Sequence, residues 1–245
     1  MSYQFLLELS KLSAEQLRAL TALGVTVQIS SDQLNDEQYV RMQWLLKHKC
    51  TLNLENPLTL SEKIQWLKLY YRDPSWPGLV DKLAVRAYVE QRAGVEFLNQ
   101  LYYAGDSLEG FDAASVPDSY MVKCTHGSGW NMAVGPGLQG SVEEARRWVK
   151  RWSSMNYYDQ WREWVYREIP PRVVVERWIP GTTPWGLLDY KMFCFHGKVQ
   201  YVQVDLDRAG DHKRNFYTRG WGEWRLPFTI QRPTSMYPGR RICAP

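Results

Sequence analysis

Three strand-like stretches follow one another in the second half of the chain, and they constrain the fold more than any other feature of the sequence. They cover residues 172–179, 189–195 and 198–205. His196 and Gly197 join the last two in the manner of a two-residue hairpin turn. Because helix signals dominate the first half, the sequence predicts an α+β fold with an antiparallel sheet, and a doubly wound fold is not expected.

Helix starts are marked by capping boxes, in which a Ser or Thr precedes a Glu or Gln by three residues and each side chain bonds the other residue's backbone N–H. Three such pairs stand before predicted helices: Ser13 with Gln16, Thr59 with Glu62, and Ser141 with Glu144. The first pair lies in residues 1–50, which are predicted to be a helical extension. Apolar residues recur on one face of the second helix, at Leu60, Ile64, Leu67 and Tyr71. A further helix is predicted over residues 81–94.

Composition and charge exclude several classes of protein. The 245 residues are 44% hydrophobic and 23% charged, as in a globular chain, and no apolar run approaches the roughly 20 residues that cross a bilayer. No apolar stretch follows a basic start as in a signal peptide, so we expect a cytoplasmic protein without an integral membrane segment. The net charge of +4 is too small to indicate a nucleic-acid partner. The 12 tryptophans fit core packing or, alternatively, stacking on a sugar or a base.

The most informative segment reads VKCTHGSGWN over residues 122–131. It places Lys123 on a strand just before a loop with two glycines. A fixed cation and closely approachable backbone N–H groups are what a polyphosphate requires, although the spacing matches neither the P-loop nor the dinucleotide fingerprint. From the residues alone, phosphate binding and an ordinary hairpin loop both stay open. A catalytic and a locally hydrogen-bonded role stay open for His126.

Charged residues near the later strands allow two interpretations each. Glu176 ends an apolar strand beside Pro180 and Gly181, where main-chain groups could meet a purine edge or the side chain could form a surface ion pair. Mixed charges also follow the hairpin, and they indicate a solvated rim or an anion or metal–phosphate site. These are Asp189, Lys191, Asp205, Asp207, Lys213 and Arg214.

Five blocks occur in one order along the chain. They are NPLTLSEKIQWLKLY (56–70), DKLAVRAYV (81–89), the loop segment 123–131, PRVVVE (171–176) and DYKMFCFHGKV (189–199). Together they closely resemble the teichuronopeptide-biosynthesis-like (TupA-like) branch of the ATP-grasp superfamily, from about residue 36 to the C terminus. The resemblance implies an ATP-grasp fold in which two α+β lobes hold ATP. It also implies activation of a carboxylate as an acyl phosphate before an amine attacks.

The resemblance further implies domains, cofactors and site residues. The expected domains are the helical extension (1–50), a lobe with the glycine loop (51–175) and a partial C-terminal lobe (176–245), and the cofactors are ATP and Mg²⁺. The implied nucleotide-binding residues are two lysines, Lys82 and Lys123; the phosphate-covering loop Gly127, Ser128 and Gly129; Glu176 with the Arg177 and Trp178 backbone at the adenine; and Lys191 as a further phosphate or substrate contact. Arg177 stands where relatives often have a second acid.

The sequence departs from the family in one other respect. The family's magnesium-binding carboxylates lie in a later segment that does not match any residues here, so an incomplete C-terminal lobe is expected and turnover is left open. The first hypothesis is an ATP-dependent carboxylate–amine ligase acting on a cell-surface polysaccharide or peptide precursor. The alternatives are a non-catalytic ATP- or sugar-binding module and a polysaccharide glycosyltransferase, for which Asp205-Leu206-Asp207 has the required acidic spacing.

Overall fold

The computed structural model describes residues 34–181, 183, 186–206 and 212–222. Within them, six α-helices and two antiparallel sheets form an α+β fold, which confirms the predicted class. The helices are α1 (Asp36–His48), α2 (Leu60–Tyr70), α3 (Trp76–Val80), α4 (Val85–Ala93), α5 (Val142–Ser153) and α6 (Tyr157–Trp161). The strands are β1 (Leu101–Gly105), β2 (Tyr120–Cys124), β3 (Asn131–Val134), β4 (Val173–Arg177), β5 (Asp189–Phe195), β6 (Lys198–Leu206) and β7 (Lys213–Thr218).

The described residues divide into two compact units, with the boundary between Arg177 and Trp178. The first unit contains a four-stranded sheet in the order β1-β4-β2-β3, and the second contains a three-stranded sheet in the order β5-β6-β7. The expected domains 1–50, 51–175 and 176–245 stay a prediction. The Ser13–Gln16 capping box lies outside the described residues.

The core of the first unit explains the direction of Lys123. Along β2, buried residues alternate with partly exposed ones, so Val122 and Cys124 face the core and Lys123 faces the other way. In β4, Val173 to Val175 are all fully buried because β1 and β2 flank the strand and α5 packs against one face of the sheet. The pairing Met121 with Glu176 and Lys123 with Val174 then places Lys123 and Glu176 on the same face of the sheet.

The helix starts follow the capping boxes closely. The predicted boxes at Thr59 and Ser141 are present, and Asn35 forms a further one before α1. The predicted helix over 81–94 begins later, because residues 81–84 form a turn between α3 and α4; it ends before Gly94, whose φ is 111°. None of the described helices is long and apolar enough to span a membrane.

The apolar face predicted for α2 is not its packed side. Leu60 and Ile64 are 48% and 49% exposed, while Leu69 is the residue that the helix buries. Leu69 packs with Trp44 of α1 and with Leu52 in a small second core. The apolar periodicity therefore identified the helix without identifying its contacts.

Candidate nucleotide site

The turn between α3 and α4 holds Lys82 in a defined place. Asp81, which is 4% exposed, accepts hydrogen bonds at Oδ1 from the backbone N–H groups of Leu83 (2.8 Å) and Ala84 (3.2 Å). Its Oδ2 accepts from Arg172 Nη2 at 2.6 Å, just before β4. This ion pair, of which the Asp81 half is buried, ties the turn to the sheet. Lys82 Nζ donates to the Gly127 carbonyl oxygen. The structure therefore brings Lys82 and the glycine loop (residues 127–129) together.

The segment before the glycine loop is held by several buried contacts. The Thr125 N–H donates to the Arg172 carbonyl oxygen at 2.9 Å. His126 is 2% exposed, and its Nε2 lies 3.0 Å from the Trp152 carbonyl oxygen. Because a carbonyl only accepts, Nε2 carries the hydrogen, and Nδ1 has no partner among the described residues. Burial lowers the His126 pKa, and its burial with the Trp152 contact favours the local hydrogen-bonding role over a catalytic one.

The two glycines of the loop differ in the space around them. A Cβ at Gly127 would lie 2.3 Å from the Trp130 ring, whereas a Cβ at Gly129 would meet nothing within 4 Å. Gly129 instead needs its φ of 77°, which side-chain-bearing residues adopt with difficulty. Ser128 is exposed beside the Tyr157 and Tyr166 hydroxyls. The two glycines are therefore required for different reasons.

A carboxylate between two cations lies on the sheet face that carries Lys123. Glu176 Oε2 accepts from Lys123 Nζ at 2.6 Å, and Oε1 accepts from Arg86 Nη1 at 3.1 Å. The Glu176 side chain is only 10% exposed, so its ion pairs are largely shielded from water. Of the two interpretations of Glu176, an ion pair is thus present, and it is partly buried.

Positive charge exceeds negative charge in this region. Lys82, Arg86 and Lys123 contribute three cations against the single carboxylate of Glu176, while Asp81 is neutralised separately by Arg172. Burial lowers the Lys82 pKa, and the nearby charge of Lys123 lowers it further. A bound anion would stabilise both ammonium groups, so the arrangement is suited to phosphate.

The backbone of Arg177 is already hydrogen-bonded. Its N–H donates to the Gln100 carbonyl oxygen at 2.9 Å, and its carbonyl oxygen accepts from Asn99 Nδ2 at 2.8 Å. An adenine would have to replace or share these bonds. Trp178 and Lys191, the remaining predicted contacts, belong to the second unit.

The second unit contains a buried carboxylate on its central strand. Asp205 is 1% exposed and accepts hydrogen bonds from Lys191 (2.7 Å), Arg214 (2.6 Å) and Gln203 (2.9 Å). Lys191 also pairs with Asp189. Burial acts to raise the Asp205 pKa, but the bonds from Arg214 and Lys191 outweigh it and hold the pKa well below its usual range. The predicted solvated rim is wrong for Asp205, and Asp207 lies outside the described residues.

Several residues that matter here were not predicted from the sequence. Arg86 lies within the DKLAVRAYV block quoted above, but its partners Glu176 and Asn99 are distant in the sequence, so no local pattern pointed to it. Arg172 and Asn99 carry no local signal either, since their partners come from distant parts of the chain.

The described residues do not fit a magnesium ion. They contain no group of three or more acidic, histidine or cysteine side chains that could hold a metal. Both oxygens of Glu176 contact cations, and Asp205 is committed to Lys191 and Arg214. The ammonium and guanidinium groups that pair with these two carboxylates would repel a magnesium ion.

A comparison with known protein families shows which family the chain belongs to. A family model described as TupA-like ATPgrasp matches residues 62–237, well over half of the chain. The chain belongs to the TupA-like ATP-grasp family. Membership confirms the suspected resemblance and the ATP-grasp-like fold, and it supports a general ATP-grasp ligase-type function in a family that binds ATP and Mg²⁺. No curated protein and no solved structure matches the chain.

Proposed function

We propose that this TupA-like protein is an ATP-dependent carboxylate–amine ligase whose Lys82, Lys123 and glycine loop bind the triphosphate. The observation that carries the proposal is an excess of cations: Lys123 and Arg86 share the single carboxylate of Glu176, while Lys82 contacts the Gly127 carbonyl oxygen of the loop. Phosphoryl transfer depends mainly on positioning and on neutralising phosphate charge, and these groups supply both.

The contact between Lys82 and Gly127 suggests how the loop responds to a nucleotide. Lys82 Nζ now donates to the Gly127 carbonyl oxygen. A phosphate oxygen is a stronger acceptor because it is charged, so its arrival would release this carbonyl and let the loop move over the phosphates. Such a lid is needed because an acyl phosphate must be kept from water.

The reaction proposed is the two-step one of the superfamily. A substrate carboxylate oxygen attacks the γ-phosphorus of ATP, and the bond to ADP breaks. An amine then attacks the acyl carbon, phosphate leaves with the electron pair of the broken C–O bond, and the nitrogen loses a proton. We place Glu176 and the Arg177 backbone at the adenine. We propose a polysaccharide or peptide precursor of the cell surface as the substrate, in the cytoplasm. No step is assigned to Mg²⁺.

Calorimetric titration with ATP, with and without Mg²⁺, tests the proposal. Lys82→Met and Lys123→Met should each weaken ATP binding by at least about tenfold, because each removes a cation that faces the phosphates. Lys150→Met is the matched control, since Lys150 is exposed on α5. This variant should bind ATP as the wild type does. No ATP binding by the wild type, or unchanged binding by both site variants, would overturn the proposal.

A non-catalytic ATP-binding module is the second candidate. It is favoured by the absence of a metal-ligand group among the described residues, since neutralisation of the triphosphate by metal is part of ligase chemistry. Release of ADP in the presence of carboxylate and amine acceptors would support the ligase. Tight ATP binding without ADP release across a panel of such acceptors would support the module. The glycosyltransferase alternative is weakened because Asp205 is buried against Lys191 and Arg214.

A further inference from the structure

Arg86 connects the nucleotide site to two other parts of the first unit. Its Nη1 donates to Glu176 Oε1 at 3.1 Å, and its Nη2 donates to the Asn99 carbonyl oxygen at 2.7 Å. The side chain is 18% exposed, so water competes weakly for these bonds. We propose that Arg86 is a positioning residue that fixes the Lys123 ammonium for the triphosphate by holding Glu176 in place. This inference rests on the proposed function.

The geometry of Glu176 is the first step of the argument. Its two oxygens are divided between two cations, with Oε1 facing Arg86 and Oε2 facing Lys123. A carboxylate is planar, so fixing one oxygen also fixes the direction in which the other points. Lys123 has a long, flexible side chain, and its 2.6 Å contact with Oε2 selects one of many rotamers.

The chemistry of Arg86 is the second step. A planar guanidinium presents several N–H donors in a fixed arrangement and can bond two acceptors from different elements at once. Here the acceptors are a side chain of β4 and the main chain before β1. A lysine at this position has a single ammonium centre, and it cannot hold both groups in the same relative orientation.

The balance of charge is the third step. With Arg86 present, Glu176 is shared between two cations, and Lys123 keeps positive charge that is available to an anion. Without Arg86, one positive charge is lost beside Glu176 and Lys123, so their pair carries no net charge, and Glu176 is held less firmly. Loss of Arg86 should therefore weaken the contact of Lys123 with phosphate even though Lys123 itself is unchanged.

A double-mutant cycle tests this role by ATP titration. Arg86→Gln should weaken ATP binding by about tenfold in the wild-type background and by less than about twofold in the Lys123→Met background, because Arg86 acts through Lys123. Arg92→Gln, on an exposed position of the same helix, is the control and should leave ATP binding unchanged. If Arg86→Gln does not fold, Arg86→Lys should. Arg86→Lys should lose less ATP affinity than Arg86→Gln, and it should lose that affinity only when Lys123 is present.

The outcomes separate this inference from the proposed function. Equal losses in the two backgrounds would indicate a general structural role and overturn the inference, as would wild-type ATP binding by Arg86→Gln. Failure of the wild type to bind ATP would overturn the proposed function and the inference together.

A second measurement needs no nucleotide. In protein with ¹³C-methylated lysines, the Lys123 resonance of Arg86→Gln should move toward that of an exposed lysine, whereas the resonance in Arg92→Gln should not. An unchanged Lys123 resonance in Arg86→Gln would also overturn the inference.

Discussion

The Lys123 ammonium lies 2.6 Å from the Glu176 carboxylate, although the two residues are 53 positions apart in the sequence. The antiparallel register of β2 and β4 brings them to the same face, and Arg86 occupies the second oxygen of the carboxylate. The phosphate site that we propose therefore contains a negative side chain as well as positive ones.

Glu176→Gln should lower the free energy of unfolding by about 2 kcal/mol, because it leaves Arg86 and Lys123 without their shared anion. It should also weaken ATP binding by about tenfold, because loss of the carboxylate that positions the Lys123 ammonium outweighs the gain in net positive charge. Calorimetry and urea denaturation measure the two effects. Glu143→Gln, at an exposed position on α5, is the control. Tighter ATP binding by Glu176→Gln would contradict the prediction and show that Glu176 competes with phosphate for Lys123.

Asp205→Asn should lower the free energy of unfolding by about 3 kcal/mol, because a buried carboxylate with two cationic partners loses its charge. Asp189→Asn, which changes a more exposed partner of Lys191, should cost less than about 1 kcal/mol. Urea denaturation at neutral pH compares them. Equal effects of the two changes would show that Lys191, and not the burial of Asp205, determines the stability of the sheet.

The lowered pKa of Asp205 predicts that the protein loses stability in acid. The Asp205 pKa in the folded chain lies below its ordinary value of 3.8, so its stabilising contribution is full above about pH 4 and is lost as the pH falls further. Thermal unfolding from pH 5 to pH 2 should show a shallower loss of stability for Asp205→Asn than for the wild type. Parallel curves would contradict this assignment.

The lowered pKa of His126 predicts that stability also depends on pH in a higher pH range. Burial and the charge of Lys82 lower its pKa below the ordinary 6.5, despite the opposing effects of the Trp152 carbonyl and Asp81. The unfolded chain therefore binds more protons just below pH 6.5, and stability should fall as the pH drops from 7.5 to 5.5. His126→Gln keeps a donor for the Trp152 carbonyl without titrating, so its Tm should fall less over this range. An identical pH profile for the two proteins would refute the assignment.

The two loop glycines should respond differently to the same substitution. Gly127→Ala should lower the free energy of unfolding by about 2 kcal/mol because the new methyl group overlaps the Trp130 ring. Gly129→Ala should cost about 1 kcal/mol, because its positive φ is strained but the space beside it is open. Denaturation followed by tryptophan fluorescence distinguishes them, and a larger effect at Gly129 would contradict the prediction.

The sequence predicted local features well because local interactions determine them. The capping boxes at Thr59 and Ser141 mark real helix starts, since each box is closed within four residues. His196 and Gly197 form the predicted hairpin turn with φ values of 50° and 73°, which match the paired positive φ of such turns.

Features that depend on distant pairing could not be predicted in the same way. Alternating charge on a hairpin is typical of a solvent-exposed face, and it became a buried site because β7 brings Arg214 beside Asp205 on β6. Likewise, the residues around Glu176 left a purine edge and an ion pair both open, and only the sheet register reveals the pairing of Glu176 with Lys123.

The turn at Asp81 determines when the conformational entropy of Lys82 is lost. Hydrogen bonds to Leu83, Ala84 and Arg172 fix the backbone around this lysine as the chain folds. The Lys82 side chain is also held, by its bond to the Gly127 carbonyl oxygen, so little of the contact's free energy is spent on ordering the protein when a ligand replaces that bond. A lysine carried by a mobile loop would bring the same charge to the ligand and bind it more weakly.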